Sequence, residues 1–211
     1  MKIFLVRHAE GLDSNTIWQT PETPLSETGK KQAQALINTR RFKNIDKILT
    51  SDLIRSRETA EIIAGGFSKE VEVVEGIQER QQSSKIYGLS RTDRIAEKYF
   101  QDIVQHSVDW DWKWDAEEES FTEVIKRAVK FRNNLIRNHS QKDVLVISHD
   151  VFLRCFITIC ILGENSDKVS FQQLHRSIAI EKTGISLLIY REEKKSFKLW
   201  YLNDYSHLSY L

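Results

Sequence analysis

After Met1 the chain runs Lys2-Ile3-Phe4-Leu5-Val6-Arg7-His8-Ala9-Glu10. The apolar run over residues 3–6 predicts a buried strand, and the abrupt change to Arg-His places two polar side chains at its carboxyl end. Ligands bind at that end of the strands in an α/β sheet. A neutral imidazole can attack phosphorus, and a guanidinium can hold two phosphoryl oxygens. Arg7 and His8 therefore indicate phosphoryl chemistry, although an isolated Arg-His pair is more often incidental.

Two further strands end in a similar way. Residues 143–147 form a continuous apolar run typical of a parallel sheet, and Ser148-His149-Asp150 follows it. Residues 45–50 predict another strand, after which Ser51 or Asp52 caps a helix that carries Arg55 in its first turn. Two histidines and two arginines thus lie where strands end or helices begin, and an α/β fold would bring them together.

Strands alternate with helices up to residue 163, which predicts an α/β fold, a three-layer α/β/α sandwich around a mostly parallel sheet. The other predicted elements are helices over 27–37, 51–64, 91–107, 120–138, 151–162 and 166–175, a strand over 71–74, and a terminal hairpin of strands over 185–190 and 197–202. Ser26 is the expected cap of the first helix, where Gly29 requires close packing. No repeat or linker divides the sequence, so we expect one domain over 1–211.

The region from about 80 to 120 is the least regular, and we expect it to form a small inserted cap. Three tryptophans alternate with charged residues over 110–114, which predicts an extended segment with all three rings on one face. They could roof a substrate cleft, but packing onto the body of the protein is favoured. The preceding helix has an apolar face predicted to consist of Ile95, Tyr99, Ile103 and Val104.

Composition and charge exclude several classes of protein. The 31 Lys and Arg residues nearly balance the 30 Asp and Glu residues, so we expect neither nucleic acid nor membrane as a partner. The start lacks the features of a secretory signal, and the apolar run over 151–162 is too short to span a bilayer and contains Arg154. Cys155 and Cys160 are expected as unbridged core thiols. These features predict a cytoplasmic location.

Several blocks resemble the histidine phosphatase superfamily, the phosphoglycerate mutase-like group. The resemblance lies in residues 5–10, 24–33, 51–60, 119–121 and 146–149. It implies that His8 is the nucleophile, that Arg7 and Arg55 bind phosphoryl oxygens, and that His149 donates to the transferring group. Glu79 matches an acidic position that would protonate the leaving oxygen. Neither metal nor cofactor is implied.

Local sequence leaves other interpretations of these residues open. Arg55 and Arg57 could be surface charges paired with Glu58 and Glu61, and Glu79 could form a weak loop ion pair with Arg80.

The chain departs from the family pattern at two positions, where Ala9 and Asp150 replace glycine. A carboxylate facing the pocket would raise the pKa of His149 or repel phosphate. We favour the interpretation that Asp150 caps the following helix from outside the site.

The favoured function is a metal-independent phosphatase that hydrolyses phosphomonoesters of small organic molecules through phosphohistidine. A phosphoglycerate mutase-type phosphotransferase is the nearest alternative, but Arg80, Arg91 and Arg94 do not reproduce the paired arginines of the dedicated mutases. A non-catalytic phospholigand-binding module is another alternative. A metal-dependent hydrolase using His149 and Asp150 is a third, although the remaining histidines lack ligand spacing.

The substrate itself is not identified by the sequence. Trp18, Tyr87 and Trp110 suggest an organic phosphate with apolar surface. The terminal hairpin offers an edge strand, but the sequence does not predict the oligomeric state.

Overall fold

The computed structural model describes residues 1–210, and over these residues six strands form one sheet. The strands are β1 (Lys2–Arg7), β2 (Lys47–Thr50), β3 (Val71–Val73), β4 (Val144–Ser148), β5 (Ile185–Arg191) and β6 (Ser196–Asp204). Their order is β3-β2-β4-β1-β5-β6. β1 to β4 run parallel, and the terminal hairpin of β5 and β6 lies beside β1, with β5 antiparallel to it. The predicted mostly parallel sheet with a terminal hairpin at one edge is confirmed.

Helices cover both faces of the sheet, as predicted. They are α1 (Glu27–Asn38), α2 (Ile54–Phe67), α3 (Arg94–Gln105), α4 (Phe121–His139), α5 (Asp150–Leu162) and α6 (Lys168–Ser177). Alternate residues of β1 enter different cores because strand side chains point to opposite faces. Ile3 and Leu5 belong to a cluster with α4 and α5, whereas Phe4 and Val6 belong to one with α1 and α2. This confirms the three-layer sandwich.

The start of α1 packs closely against the loop that follows β1. The side chain of Ser26 accepts a hydrogen bond from the backbone N–H of Gly29 at 2.9 Å, as the predicted cap should. A Cβ atom on Gly29 would lie 2.0 Å from the carbonyl oxygen of Glu10. Glycine is therefore required at this position by contact with backbone, although it is a poor helix former.

The predicted cap of α2 is wrong. Leu53 occupies the N-cap position without a side-chain hydrogen bond, so neither Ser51 nor Asp52 caps this helix. The hydroxyl of Ser51 is used elsewhere, since it pairs with His149 across the sheet edge. The hydroxyl that local sequence predicts as a helix cap therefore forms a long-range hydrogen bond instead.

The predictions for residues 91–114 need two corrections. α3 begins at Arg94 because Asp93 caps it, and its buried residues are Ala96 and Tyr99. Ile95 and Val104 are 50% and 56% exposed, so only part of the predicted apolar face is buried.

The three tryptophans do not lie on one extended face, because their segment forms turns rather than a strand. Trp110 packs on Phe121, Trp112 stacks on His106, and Trp114 packs on Tyr99.

The apolar segment over 151–162 lies in α5, and most of its residues are buried. Cys155 and Cys160 are both buried and free, as predicted. Burial raises the pKa of each thiol, which makes both poor nucleophiles. Within residues 1–210, no helix combines the length and the apolar character needed to cross a bilayer.

The close approach at Gly29 leads to a stability prediction. We expect Gly29→Ala to lower the free energy of unfolding by about 1–3 kcal/mol, because the new methyl group would overlap a backbone carbonyl that cannot move freely. Gly65→Ala is the matched control, since nothing lies within 4 Å of its Cβ position in α2. The control should gain about 0.5–1 kcal/mol. Urea unfolding of both variants measures the difference, and equal effects would contradict the packing argument.

Candidate active site

His8 follows β1 directly and is 5% exposed. Its Nδ1 lies 2.7 Å from the carbonyl oxygen of Ala9. Because a carbonyl can only accept, Nδ1 carries the proton of the neutral ring and Nε2 carries the lone pair. Burial lowers the pKa of His8 well below its usual value, and the charges of Arg55 and Arg7 lower it further. The ring is therefore neutral near pH 7, with its lone pair on Nε2.

Arg55 contacts this imidazole directly. Its Nε lies 3.3 Å from His8 Nε2, and its Nη1 donates to the carbonyl oxygen of Thr20 at 2.9 Å. The side chain is buried, so the interpretation of Arg55 as a surface charge is wrong. Arg57 does lie on the surface of α2, where it pairs with Glu61 at 3.8 Å.

Arg7 brings a second guanidinium to the same group. Its Nη1 donates to the carbonyl oxygen of Ile180 at 2.7 Å, which fixes its side chain at the end of β1. Its Nε is buried and has no hydrogen-bond partner within residues 1–210. The charge of Arg7 contributes to the lowered pKa values of both His8 and His149. Two guanidiniums thus lie close to two imidazoles.

His149 follows β4, and its ring centroid lies 4.9 Å from that of His8. Its Nε2 is 2.7 Å from the hydroxyl of Ser51, and its Nδ1 has no partner within the described part of the chain. Burial lowers the pKa of His149 well below its usual value, followed by the effect of His8. Sequence analysis missed Ser51 as a site residue, although it follows β2 as His8 follows β1.

Glu79 lies at the N-terminus of α5. Its Oε1 accepts from the backbone N–H of Val151 at 3.1 Å and from that of Arg80 at 3.0 Å. Burial raises the pKa of this carboxyl above its usual value, and the nearby charge of Asp150 raises it further. The alternative of a simple ion pair with Arg80 is wrong, since that guanidinium pairs with Glu118 at 3.2 Å.

The loop that carries Glu79 is held by α4 and β4. Arg127 donates to the carbonyl oxygens of Gly76 and Gln78 at 2.7 and 3.1 Å, and its guanidinium pairs with both carboxylate oxygens of Glu119 at 2.6 Å. Ser148 donates from its hydroxyl to the carbonyl oxygen of Ile77 at 2.5 Å. These contacts fix the acid relative to the histidines, and no local pattern in the sequence predicts them.

Asp150 does not cap α5, contrary to our prediction. The N-cap position belongs to His149, and the carboxylate of Asp150 pairs with Arg154 at 3.0 Å one turn later. Asp150 is not among the groups that shift the pKa of His149, which burial and the neighbouring His8, Arg55, Arg7 and Arg127 lower. The electrostatic effect of Asp150 falls instead on Glu79.

The arrangement offers no evident set of metal ligands. His149 Nε2 pairs with Ser51 and Asp150 pairs with Arg154. Within residues 1–210, no group of three or more His, Cys, Asp or Glu side chains is placed to hold a metal ion. Two guanidiniums, two neutral imidazoles and a carboxyl of raised pKa are instead suited to binding an oxyanion and to moving a proton.

Comparisons with known proteins identify a family and a fold. The family model of the histidine phosphatase superfamily (branch 1) matches residues 3–203. Phosphoserine phosphatase 1 of Hydrogenobacter thermophilus is 29% identical over 176 residues, which cover 80% of this chain and 79% of that protein. A probable phosphoglycerate mutase GpmB of Photorhabdus laumondii is 41% identical, but only over 66 residues, which are 30% of this chain and 31% of that relative.

A solved structure has the same fold along nearly the whole chain. The phosphoserine phosphatase mutant of Entamoeba histolytica, crystallised in complex with phosphoserine, superposes with a TM-score of 0.75. The two sequences are 22% identical, and the superposition covers 98% of each chain. At this identity the likeness concerns the fold.

The position of Asp150 leads to a prediction about the carboxyl of Glu79. We expect Asp150→Asn to lower the pKa of Glu79, because the variant removes a nearby negative charge and frees the cation of Arg154. The pKa can be followed by NMR titration of 13C-labelled Glu side chains. Asp111→Asn removes an exposed carboxylate elsewhere and should leave it unchanged. An unchanged or higher pKa in Asp150→Asn would contradict the electrostatic assignment.

Proposed function

The chain belongs to the histidine phosphatase superfamily, branch 1, and we propose that it is a metal-independent phosphatase for phosphomonoesters of small organic molecules. The observation that carries the proposal is the contact of Arg55 Nε with His8 Nε2 at 3.3 Å. The contact supports the proposal because a neutral imidazole can act as a nucleophile on phosphorus and a guanidinium beside it can bind phosphoryl oxygens. We propose His8 as the nucleophile, Glu79 as the general acid and base, and His149 as a donor to the transferring group.

In the first proposed step, Nε2 of His8 attacks phosphorus with its lone pair. The N–P bond forms as the bond between phosphorus and the leaving oxygen breaks, and Glu79 gives its proton to that oxygen. Nδ1 of His8 keeps its proton and donates it in a hydrogen bond to the carbonyl oxygen of Ala9, which stabilises the phosphorylated ring. Arg7 and Arg55 offset the charge of the phosphoryl oxygens, as a loose transition state requires.

In the second proposed step, water accepts the phosphoryl group. The carboxylate of Glu79 takes a proton from water as the new P–O bond forms. The N–P bond breaks, and its electron pair returns to Nε2 of His8. The enzyme thus regains a protonated Glu79 and a neutral His8, so that atoms and charges balance over the cycle. A raised pKa suits Glu79 to both tasks near neutral pH.

A mutase is the second candidate, because one relative is a probable phosphoglycerate mutase. Two of the arginines available for a second phosphate are engaged within the protein. Arg80 pairs with Glu118 at 3.2 Å, and Arg91 lies over the ring of Trp18 at 4.9 Å. Hydrolysis therefore remains our proposal. A phosphoryl group passed to a second organic acceptor rather than to water would favour the mutase.

We also propose that residues 80–120, called the cap below, cover the site. It contains α3 and the three tryptophans, and it meets the site through Arg80. Two of the aromatic residues considered for substrate contact are engaged within the protein. Trp18 packs edge-to-face on Tyr99, and Tyr87 donates from its hydroxyl to the carbonyl oxygen of Gln82 at 3.1 Å. Trp110 lines a cavity next to the site.

His8→Ala should abolish phosphate release from p-nitrophenyl phosphate, because the variant lacks the atom that accepts the phosphoryl group. Wild-type turnover should be unaffected by a chelator, and His139→Ala is the control for loss of a histidine outside the site. Quenching in alkaline denaturant, in which the N–P bond of phosphohistidine survives, should trap a phosphoryl group on wild type and none on His8→Ala. No turnover by wild type, with tight binding of a phosphorylated ligand, would indicate a binding module. Turnover that survives in His8→Ala would overturn the mechanism.

Glu79→Gln should lower kcat/KM, which reports the first step, by about 10²–10⁴ for an alkyl phosphate, because an alkoxide leaves poorly without a proton. The loss should be smaller for p-nitrophenyl phosphate, whose leaving oxygen is a weak base. Initial rates of both substrates on wild type and variant measure the difference. Equal losses would mean that Glu79 does not protonate the leaving group.

A further inference from the structure

A cavity of about 270 Å³ lies between the cap, α5 and α6. Its lining includes Trp110, Trp112, Phe121, Arg154, His175 and Arg176. Cavities that bind drug-sized ligands span roughly 300–1,000 Å³, so this one suits a small organic group. None of the proposed catalytic steps uses these six residues.

The cavity begins next to Glu79. Val151 lines it, and the backbone N–H of Val151 donates to the Glu79 carboxylate at 3.1 Å. Arg80, the residue after Glu79, lines the cavity as well. The cavity and the carboxyl of Glu79 are thus separated by residues 80 and 151, and a group that leaves from Glu79 has this space as its neighbour.

Five of the thirteen residues that line the cavity carry flat rings. Trp112 stacks on His106 with ring centroids 4.7 Å apart and an interplanar angle of 2°. Trp110 packs edge-to-face on Phe121 at 5.5 Å. His175 adds a neutral ring, since burial lowers its pKa to about 3. Such walls favour a flat, apolar body over a flexible polar one.

Three arginines line the cavity, and two of them form salt bridges with carboxylates. Arg80 pairs with Glu118 and Arg154 pairs with Asp150. Arg176 donates only to the carbonyl oxygen of Ser107, at 3.2 Å, and no carboxylate pairs with it within residues 1–210. Asp109 is the only acidic residue that lines the cavity over this range. With Arg80 and Arg154 neutralised by their partners, Arg176 is the lining cation that remains without a carboxylate partner in the described part of the chain.

The lining also contains unused hydrogen-bonding groups. Trp110 Nε1, Arg154 Nε and His175 Nε2 are buried and lack partners within the described residues. These three atoms are buried behind the surface of the cavity, so they do not meet a ligand directly. The exposed guanidinium of Arg176 does, and a guanidinium matches a carboxylate well.

We propose that this cavity binds the leaving group of the substrate, and that this group has a flat, apolar body and carries a carboxylate. This inference rests on the proposed phosphatase function. Trp110 and Trp112 contact the flat body, and Arg176 at the rim binds the carboxylate. The phosphoryl group lies at His8, Arg7 and Arg55 on the other side of Glu79.

The test compares 4-carboxyphenyl phosphate with its uncharged carboxamide isostere, 4-carbamoylphenyl phosphate. Wild type should favour the carboxylate in kcat/KM, and Arg176→Gln should reduce the ratio of the two values by about two- to fivefold, the range of an exposed ion pair. Arg137→Gln is the matched control, because it removes the same charge from the exposed end of α4. Trp112→Leu should reduce kcat/KM for 4-carboxyphenyl phosphate more than for 4-carboxycyclohexyl phosphate.

Binding of 4-hydroxybenzoate by calorimetry separates this inference from the proposed function, since it requires no turnover. Binding by wild type that is weakened in Arg176→Gln supports the cavity assignment even if no phosphate is released. Turnover of both aryl phosphates with a ratio that Arg176→Gln leaves unchanged would overturn the inference and leave the phosphatase proposal intact. Absence of 4-hydroxybenzoate binding to an active wild type would overturn it as well.

Discussion

The parallel pairing of β1 with β4 is the constraint on which the candidate site depends. Its register sets Arg7 opposite Ser148, and the backbone N–H of His8 donates to the carbonyl oxygen of Ser148 at 2.9 Å. The ladder thus ends on both strands at the same level, and the two imidazoles lie 4.9 Å apart. A slip of one residue would turn every side chain of the strand to the other face. Two hydrophobic cores oppose such a slip, because Leu5 and Val6 belong to different ones.

The strands and helices that carry the site could be predicted because their signals are local. Four apolar residues before Arg7, a continuous apolar run before Ser148 and His149, and a serine cap before α1 each require only a short window of sequence. In a parallel sheet the carboxyl ends of neighbouring strands meet at one edge, so the ends of β1 and β4 lie side by side. This is why the amino-acid sequence alone is enough to group His8 with His149.

The features that sequence did not predict depend on contacts between distant residues. Ser51 precedes a helix and is therefore predicted to cap it, yet its hydroxyl lies 2.7 Å from Nε2 of His149, which is 98 residues away in the sequence. The loop before Glu79 is held by Arg127, which donates to two backbone carbonyl oxygens of that loop. No short sequence pattern predicts hydrogen bonds between a side chain and a distant backbone. The alternation of Trp110 to Trp114 has the period of two that is typical of a strand. The segment instead forms turns in which each ring packs on a different neighbour, so the period alone does not distinguish the two structures.

Asp150 links the acid of the site to the neighbouring cavity. Its carboxylate pairs with Arg154, a cavity residue, and its charge raises the pKa of Glu79. A glycine at this position, as in the family pattern, would remove that negative charge and leave the guanidinium of Arg154 without this partner. Loss of the charge would favour the ionised form of Glu79 and so oppose proton donation. The carboxylate of Asp150 thus allows Arg154 to lie beside the cavity while Glu79 retains the raised pKa that a proton donor requires.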